Sequence, residues 1–186
     1  MIVVVDLDGD SIDEITMIPR TDGAIGAMFD WNARQPLGQG RQFSNFFPGD
    51  FDGDGDPDLI TLGEREIEDG ERVFSWMLFK NDIRSTGAFE APVMVNLDSS
   101  QMIDVVDFNG DGIDDLLTSD RLWESAEDGT FEKKRRLVGL LDIGNFDNEG
   151  SLDLLRTRET RQVDVYSADA KSGGANSTAR IAVRYR

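Results

Sequence analysis

The sequence contains no cysteine and no histidine among its 186 residues. Without cysteine it forms no disulfides and has no thiolate nucleophile, and without histidine it lacks the Ser-His-Asp triad and the usual zinc sites. No apolar run approaches the length of a membrane span, and the first ten residues, MIVVVDLDGD, lack the charged start and cleavage site of a signal peptide. These absences exclude many classes of enzyme and leave the acidic residues as the main carriers of chemistry.

Acidic residues are in large excess, with 37 Asp and Glu against 19 Lys and Arg and a formal net charge of −18. Such a charge opposes a compact fold by self-repulsion, and bound cations would relieve it. Nucleic acids and anionic membranes call for basic patches, so we expect neither nucleic-acid binding nor membrane insertion. The one basic cluster, residues 133–136, is interpreted as salt-bridge partners or as decoration of an edge strand.

The segment Asp50–Ile60, DFDGDGDPDLI, carries acids at positions 1, 3, 5 and 9 of a loop that also contains two glycines. Calcium takes six to eight oxygen ligands at roughly 2.3–2.6 Å, so carboxylates on alternate residues of one tight loop suit it. Gly53 and Gly55 allow the backbone to curl around an ion, because glycine adopts positive φ without steric cost. A solvated acidic turn is the alternative for a single copy of this motif.

The motif occurs four times, in loops one to four, which begin at Asp6, Asp50, Asp107 and Asn145. The spacings of 44, 57 and 38 residues are typical of propeller blades. Positions 1, 3, 5 and 9 are predicted to bind metal by their side chains, and position 7 by its backbone carbonyl. The predicted ligands are Asp6, Asp8, Asp10, Ile12 and Glu14 in loop one; Asp50, Asp52, Asp54, Asp56 and Asp58 in loop two; Asp107, Asn109, Asp111, Ile113 and Asp115 in loop three; and Asn145, Asp147, Glu149, Ser151 and Asp153 in loop four.

Short β-branched and apolar runs flank every loop, so each loop is predicted to join the first two strands of a four-stranded unit. The predicted fold is all-β, a β-propeller of four four-stranded antiparallel blades in a single repeat array, with blades at about 1–43, 44–98, 99–138 and 139–186. Strand-like flanks argue against an EF-hand, as does the residue at position 12. That residue is Met17, Thr61, Thr118 or Arg156, where an EF-hand has glutamate.

Some boundaries are specific predictions. The fourth strand of the first unit is placed around Arg41 to Phe43, and an acidic hairpin extension, Gly63 to Glu71, separates the second and third strands of the second unit. Four units allow a small closed ring, part of a larger ring, or half of a ring that a second copy completes.

Large aromatics that occur about once per unit are interpreted as core residues, with a sugar-binding or protein-binding face as the alternative. They are Trp31, Trp76, Trp123 and Tyr166.

These loops in an all-β context resemble the FG-GAP or VCBS repeats, the calcium-bearing blades of integrin alpha-chain propellers and of many bacterial surface and secreted proteins. Two glycine-x-phenylalanine steps, at residues 87–89 and 129–131, resemble the step that leads into the last strand of such blades. The resemblance covers essentially the whole chain. It implies a propeller that binds up to four calcium ions, and a role in recognition or adhesion.

Two functions remain open from the sequence. The first is a non-catalytic recognition module that presents loops to a glycan or protein ligand, and the second is the propeller portion of a secreted polysaccharide-degrading enzyme. Without a signal peptide, the chain is either intracellular or a piece of a larger exported protein. Weak calcium loops fill at the millimolar calcium outside cells, so we expect a secreted or cell-surface location. Loops two and three are predicted to bind calcium most tightly and loop four least, because loop four has fewer anionic ligands.

Overall fold

The computed structural model describes residues 2–17, 29–30, 43–67, 69–97, 101–136, 140–146, 152–158, 162–167 and 178–181. These residues form an all-β structure of antiparallel sheets, as predicted, with one short helix among them. In this described part of the chain, no helix has the length and apolar character needed to cross a membrane. The arrangement of the sheets as blades of a propeller remains a prediction from the sequence.

The chain divides into two compact units. The first comprises Met1–Asp98 together with Ser125–Phe131, and the second comprises Ser99–Glu124 together with Glu132–Arg186. Loops one and two belong to the first unit, and loops three and four belong to the second.

The first sheet has three described strands in the order β1-β2-β3, and loop one joins β1 to β2 as predicted. They are β1 (Ile2–Val5), β2 (Glu14–Met17) and β3 (Phe29–Asp30). The fourth strand predicted around Arg41 to Phe43 is wrong for Phe43, which begins β4 (Phe43–Gly49) of the second sheet and lies opposite Gly63. Phe46 of the same strand is buried in the first unit's core together with Leu59 of β5, and this burial favours the pairing of β4 with β5. Residues 41 and 42 lie outside the described part of the chain.

The second sheet is four-stranded, as predicted, but contains an insertion that the prediction lacks. After β4 the elements are β5 (Asp58–Glu66), β6 (Arg72–Phe79), β7 (Asn81–Asp82), α1 (Ile83–Thr86), β8 (Ala88–Phe89) and β9 (Val93–Val95). The sheet order is β4-β5-β6-β9, and β7 and β8 pair separately as a two-stranded ribbon. The glycine-x-phenylalanine step at 87–89 therefore leads into the ribbon and not into the last strand of the sheet, so that prediction is wrong.

The acidic extension predicted at Gly63 to Glu71 is largely strand. β5 continues to Glu66, which lies opposite Arg72, so the turn is confined to Ile67 through Glu71. Gly70 has a φ of 77° and donates its N–H to the Ile67 carbonyl at 2.9 Å. Because the added strand residues are mostly charged, they hide the alternation that marks a strand in sequence.

The third and fourth sheets each have four strands, as predicted, and belong to the second unit except for Ser125 and Phe131, which belong to the first. The third consists of β10 (Met102–Val106), β11 (Asp115–Thr118), β12 (Arg121–Ser125) and β13 (Phe131–Arg136) in that order. The fourth consists of β14 (Leu140–Gly144), β15 (Asp153–Arg158), β16 (Gln162–Ser167) and β17 (Thr178–Ile181) in that order. Here the glycine-x-phenylalanine step at 129–131 does lead into the last strand of its sheet, β13.

Each unit has its own apolar core beside its loops. In the first unit the buried cluster is Val3, Phe46, Leu59, Met77 and Phe79. In the second unit it is Phe108, Leu117, Leu122 and Leu154. Trp76 and Trp123 are 6% and 2% exposed, which confirms the core interpretation for these two tryptophans. Trp31 and the side chain of Tyr166 lie outside what the structure describes.

A repeated irregularity precedes loops three and four. The pairing register shifts between Met102 and Asp104 in β10 and between Leu140 and Asp142 in β14. Each aspartate accepts the N–H of the next residue at 2.9 Å. A bulge of this kind twists the strand and re-aims the side chains that come after it in the chain. An aspartate three residues before loop position 1 is the sequence signal for it, and the prediction did not use it.

Candidate metal centre

Loops one, two and three fold around the carboxylate at position 1. In loop two, Asp50 accepts the N–H of Gly53 at 2.7 Å and the N–H of Gly55 at 2.9 Å, one on each carboxylate oxygen. The corresponding donors at positions 4 and 6 are Gly9 and Ser11 to Asp6 in loop one, and Gly110 and Gly112 to Asp107 in loop three. Because these bonds join residues three and five positions apart, the loop motif itself determines them.

Position 5 adds a second local hydrogen bond in the same three loops. Its carboxylate accepts the N–H of position 7, at 2.8 Å from Asp56 to Asp54 in loop two. The equivalent pairs are Ile12 to Asp10 at 2.8 Å and Ile113 to Asp111 at 2.9 Å. The backbone between positions 1 and 7 is therefore curled in the same way in three separate places.

The acid at position 9, predicted as a metal ligand, makes a hydrogen bond that closes each of the four loops. In each loop its side chain accepts the N–H of position 2, at distances from 2.7 to 3.2 Å. The position 9 acids are 0–2% exposed and are Glu14, Asp58, Asp115 and Asp153. Position 2 is also buried in loops one to three, where it is Leu7, Phe51 and Phe108. In loop four, Phe146 at position 2 is 45% exposed.

Positions 4 and 6 adopt positive φ in these three loops. In loop two the φ angles of Gly53 and Gly55 are 76° and 88°, and the glycines of loop three are similar. Loop one has Ser11 at position 6 with a φ of 69°, in the left-handed region that disfavours a side chain. The conformation of position 6 is thus kept in loop one at a steric cost.

Carboxylate oxygens converge in loops one and two. Asp50, Asp52 and Asp58 bring one oxygen each within 4.8 Å of one another, and Asp6, Asp8 and Asp10 do the same. Oxygens on opposite sides of one calcium ion are separated by roughly twice its 2.3–2.6 Å bond length, so this spacing fits a single ion. One oxygen of Asp52 is buried and has no hydrogen-bond partner, although a buried polar atom normally has one. The residues present therefore fit a calcium ion.

Crowding of the acids changes their titration. Burial raises the pKa of Asp58 to about 7, and the charge of Asp52 adds to the effect, against the hydrogen bonds donated by Asn81 and Phe51. The pKa of Asp54 is also raised, first by burial and then by the charges of its acidic neighbours. A cation bound among these groups would favour their ionised forms.

Two basic side chains lie against loop two. The Lys80 ammonium is 3.1 Å from Oδ2 of Asp52, and Nη1 of Arg84 is 2.7 Å from Oδ1 of Asp56. The sequence assigned to Asp56 only a backbone role at position 7, so the ion pair of its side chain was missed. No local pattern could have revealed it, because both basic residues come from the segment that follows β6.

Loop four is described only in part. Asn145 and Asp153 lie within the described residues, and Asp153 makes the closing hydrogen bond to Phe146 at 2.7 Å. The predicted ligands Asp147, Glu149 and Ser151 lie outside them.

In loop three, Asn109 at position 3 donates from its side-chain amide to Asp111 at 2.8 Å, which brings positions 3 and 5 together.

The basic cluster at 133–136 takes part in interactions within the second unit. Lys134 is 3.1 Å from Glu124 and 2.9 Å from Glu132, and hydrogen bonds to these two acids raise the pKa of Lys134. Lys133 lies 5.1 Å from the ring centre of Trp123. For Lys134, the interpretation as a salt-bridge partner is confirmed.

Comparison of the chain with protein-family models found no match, and a search of curated proteins found none either.

Proposed function

We propose that the chain is a calcium-binding repeat module of a β-propeller, in which metal ions fix the first hairpin of each sheet and other loops bind a glycan or protein ligand. The observation that carries the metal part is the same set of backbone-to-carboxylate hydrogen bonds in loops one, two and three. In loops one and two this conformation also brings three carboxylate oxygens within 4.8 Å of one another, an arrangement that a bound cation would favour.

Oxygen chemistry favours calcium over other metals. The loops offer carboxylates, an amide and backbone carbonyls, with neither sulfur nor imidazole, and hard cations prefer such donors. Magnesium demands a tighter octahedral shell and dehydrates reluctantly, so a flexible ring of carboxylates suits calcium better. In this proposal, Asp50, Asp52 and Asp58 hold the ion of loop two, and Asp6, Asp8 and Asp10 hold that of loop one.

The metal acts on the scaffold in this proposal. The position 9 acid joins each loop to a strand of the buried core, so an ion that orders the loop also orders the start of β2, β5, β11 or β15. A ligand that binds only the folded state stabilises it by about 2.7 kcal/mol at a concentration a hundredfold above its Kd. In this proposal the acids of the loops bind calcium and stabilise the fold. A glycan or protein ligand is therefore expected to bind at other surfaces.

One such surface in the first unit is a cavity of about 270 Å³ beside the edge strand β9. Val93 and Met94 line it and are 50% and 45% exposed, so two adjacent apolar side chains stand open to solvent beside the cavity. Apolar surface next to polar loops is a common setting for recognition of a partner.

We also propose that the module is exported to a calcium-rich medium. There it would act alone, as a homo-oligomer or as part of a larger propeller.

Calorimetric titration of metal-stripped protein tests the metal part. We expect calcium to bind to more than one site and magnesium to bind much more weakly. Asp107→Asn is expected to remove one site, while Asp104→Asn, which removes the same charge from an exposed residue outside the loop, is expected to leave the stoichiometry unchanged. Absence of calcium binding, or equal losses in both variants, would contradict the proposal.

A glycan array combined with a turnover assay tests the recognition part. Calcium-dependent binding without turnover is the expected result. Depolymerisation of an acidic polysaccharide would contradict the non-catalytic role and support the alternative of a polysaccharide-degrading enzyme.

A further inference from the structure

Asn81 joins loop one to loop two, although it belongs to neither. It is the first residue of the ribbon strand β7 and is 3% exposed. Its side-chain amide donates to the carbonyl of Leu7 at 2.7 Å and to the carbonyl of Pro57 at 3.0 Å. Its backbone N–H donates to Oδ1 of Asp58 at 2.7 Å. One buried residue therefore holds position 2 of loop one together with positions 8 and 9 of loop two.

The amide of Asn81 is itself held in place. Its side-chain oxygen accepts the N–H of Ile83 at 3.0 Å, so both ends of the amide have hydrogen-bond partners. The assignment of oxygen and nitrogen follows from these partners, because two carbonyls require a donor and one N–H requires an acceptor. A satisfied buried amide of this kind fixes the atoms that it touches.

Arg84 makes a second connection from the same insertion. Its Nε donates to the carbonyl of Asp8 in loop one at 3.3 Å, and its Nη1 pairs with Asp56 in loop two at 2.7 Å. The guanidinium lies where a Cβ on Gly9 would be, so only glycine at position 4 of loop one permits this contact. Asn81 and Arg84 thus connect the same two loops, one from within the protein and one at its surface.

We propose that Asn81 is a positioning residue for two metal sites at once, so that its removal weakens calcium binding at loops one and two together and spares loop three. This inference rests on the proposed calcium function. Asn81 fixes Asp58, a candidate ligand, and it fixes the Leu7 carbonyl between the candidate ligands Asp6 and Asp8. Without Asn81, calcium binding itself has to supply the free energy that orders each loop, so the affinity of the loop for calcium falls.

The third repeat supplies a natural contrast. Leu59 and Leu116, each the residue after position 9, lie opposite Phe79 and Trp123, so the register places Ser125 where the second repeat has Asn81. A serine hydroxyl has one donor, whereas an amide has two, so serine cannot hold two carbonyls at once. The double connection belongs to the second repeat and its insertion.

Calcium titration followed by NMR tests the proposal, with the amides of Gly9, Gly53 and Gly110 as reporters of loops one, two and three. In Asn81→Ala we expect the calcium midpoints at Gly9 and Gly53 to rise by about tenfold, the effect of about 1.4 kcal/mol per site, while the midpoint at Gly110 stays unchanged. Asn81→Ser retains one donor and is expected to give a smaller rise at the same two reporters. If the Asn81→Ala variant does not fold, the Asn81→Ser variant tests the same prediction.

Thr86→Ala is the matched control. Thr86 belongs to the same insertion. Its single O–H donates to the carbonyl of Asp82 at 2.9 Å, or to that of Ala88 at 3.3 Å, and neither carbonyl belongs to a loop. It is expected to lower stability in chelator while leaving all three midpoints unchanged. A rise at Gly53 alone, equal rises at all three reporters, or no rise in either Asn81 variant would overturn the inference. If the wild-type protein shows no calcium-dependent shift at any reporter, the proposed function itself fails.

Discussion

Loops two and three share one backbone conformation but neutralise their acids in different ways. Loop two has five aspartates, and Lys80 and Arg84 pair with two of them. In loop three, an asparagine replaces one acid and donates to Asp111, and among the described residues neither Asp107 nor Asp111 has an ion-pair partner. The conformation therefore follows from the loop motif, and the charge compensation follows from what the insertion after β6 brings to it.

This difference predicts what a metal ion contributes at each loop. At loop two the Lys80 ammonium already pairs with Asp52. A bound calcium ion would therefore add less electrostatic stabilisation to that carboxylate than it would without the ammonium. At loop three, among the described residues, neither Asp107 nor Asp111 forms such an ion pair, so we expect the stability of this loop to depend more on the ion. Substitutions in the loops and a change of pH test this contrast, with effects of decreasing expected size.

Removal of the position 1 carboxylate should give the largest effect. Asp107→Ala and Asp50→Ala each lose a metal ligand and the acceptor for the N–H groups at positions 4 and 6. In saturating calcium we expect Asp107→Ala to lower the free energy of unfolding by about 3 kcal/mol and Asp50→Ala to lower it by less, and in chelator we expect each to lower it by about 1 kcal/mol. Urea unfolding in both conditions measures this, and equal losses with and without calcium would argue against a bound ion.

The pH dependence without metal should give the next largest effect. The pKa of Asp58 is about 7 in the folded protein, against 3.8 as its ordinary value. In chelator the folded protein holds a proton that the unfolded chain has released, so stability falls as pH rises from about 4 to about 7 and is level above that. We expect the protein to be more stable at about pH 5.5 than at about pH 8 by about 2 kcal/mol.

Asp58→Asn is the control for this pH effect, because an amide keeps an acceptor for the Asn81 N–H and does not titrate. The variant should lose most of the slope between the two pH values. In calcium the sign should reverse, because protons then compete with the ion for the same carboxylate. A wild-type slope that survives the substitution would assign the effect to the general excess of acids.

Removal of the internal cation of loop two should cost less. Lys80→Met leaves Asp52, whose side chain is 14% exposed, without its ammonium partner. We expect a loss of about 1 kcal/mol in chelator and a smaller loss in calcium, because the ion can replace the ammonium. Lys134→Met, which breaks pairs at the surface of the second unit, should change stability little in either condition. Equal losses for Lys80→Met in calcium and chelator would contradict the contrast between loops two and three.

The smallest effect is a gain. Ser11→Gly in loop one should raise stability by about 0.5–1 kcal/mol, because position 6 has a φ of 69° that serine adopts at a cost. The reverse change, Gly112→Ser in loop three, should lower stability by a similar amount. Open space surrounds the Cβ position of Gly112, so only the backbone angle is tested. Thermal unfolding of both variants checks the pair, and changes of the same sign would reject the explanation.

The loops could be predicted from the sequence because their hydrogen bonds are local. Asp50 reaches residues three and five positions away, and Asp58 reaches Phe51, seven positions away, so the alternation of aspartate and glycine is enough to specify the curl. The paired strands followed from apolar runs on both sides of each loop. In loop one, Ser11 stands at the position where loops two and three have glycine, so its positive φ follows from the same local motif.

The connections between loops could not be predicted in the same way. Asn81 reaches Leu7 across 74 residues, and Arg84 reaches Asp8 across 76. The insertion that carries both residues consists of two-residue strands and one helical turn, too short for any periodic pattern. Phe43 was placed in the wrong sheet because its partner, Gly63, becomes visible only when the second sheet is assembled.

Anomalous scattering from crystals grown with calcium and then soaked in a lanthanide shows directly whether the loops bind metal ions. We expect one strong peak inside each of loops one, two and three, bordered by the side chains at positions 1 and 3. In loop two the peak should adjoin Asp50, Asp52 and Asp58. Loops without any peak at saturating metal, with Lys80 still paired to Asp52, would contradict the account.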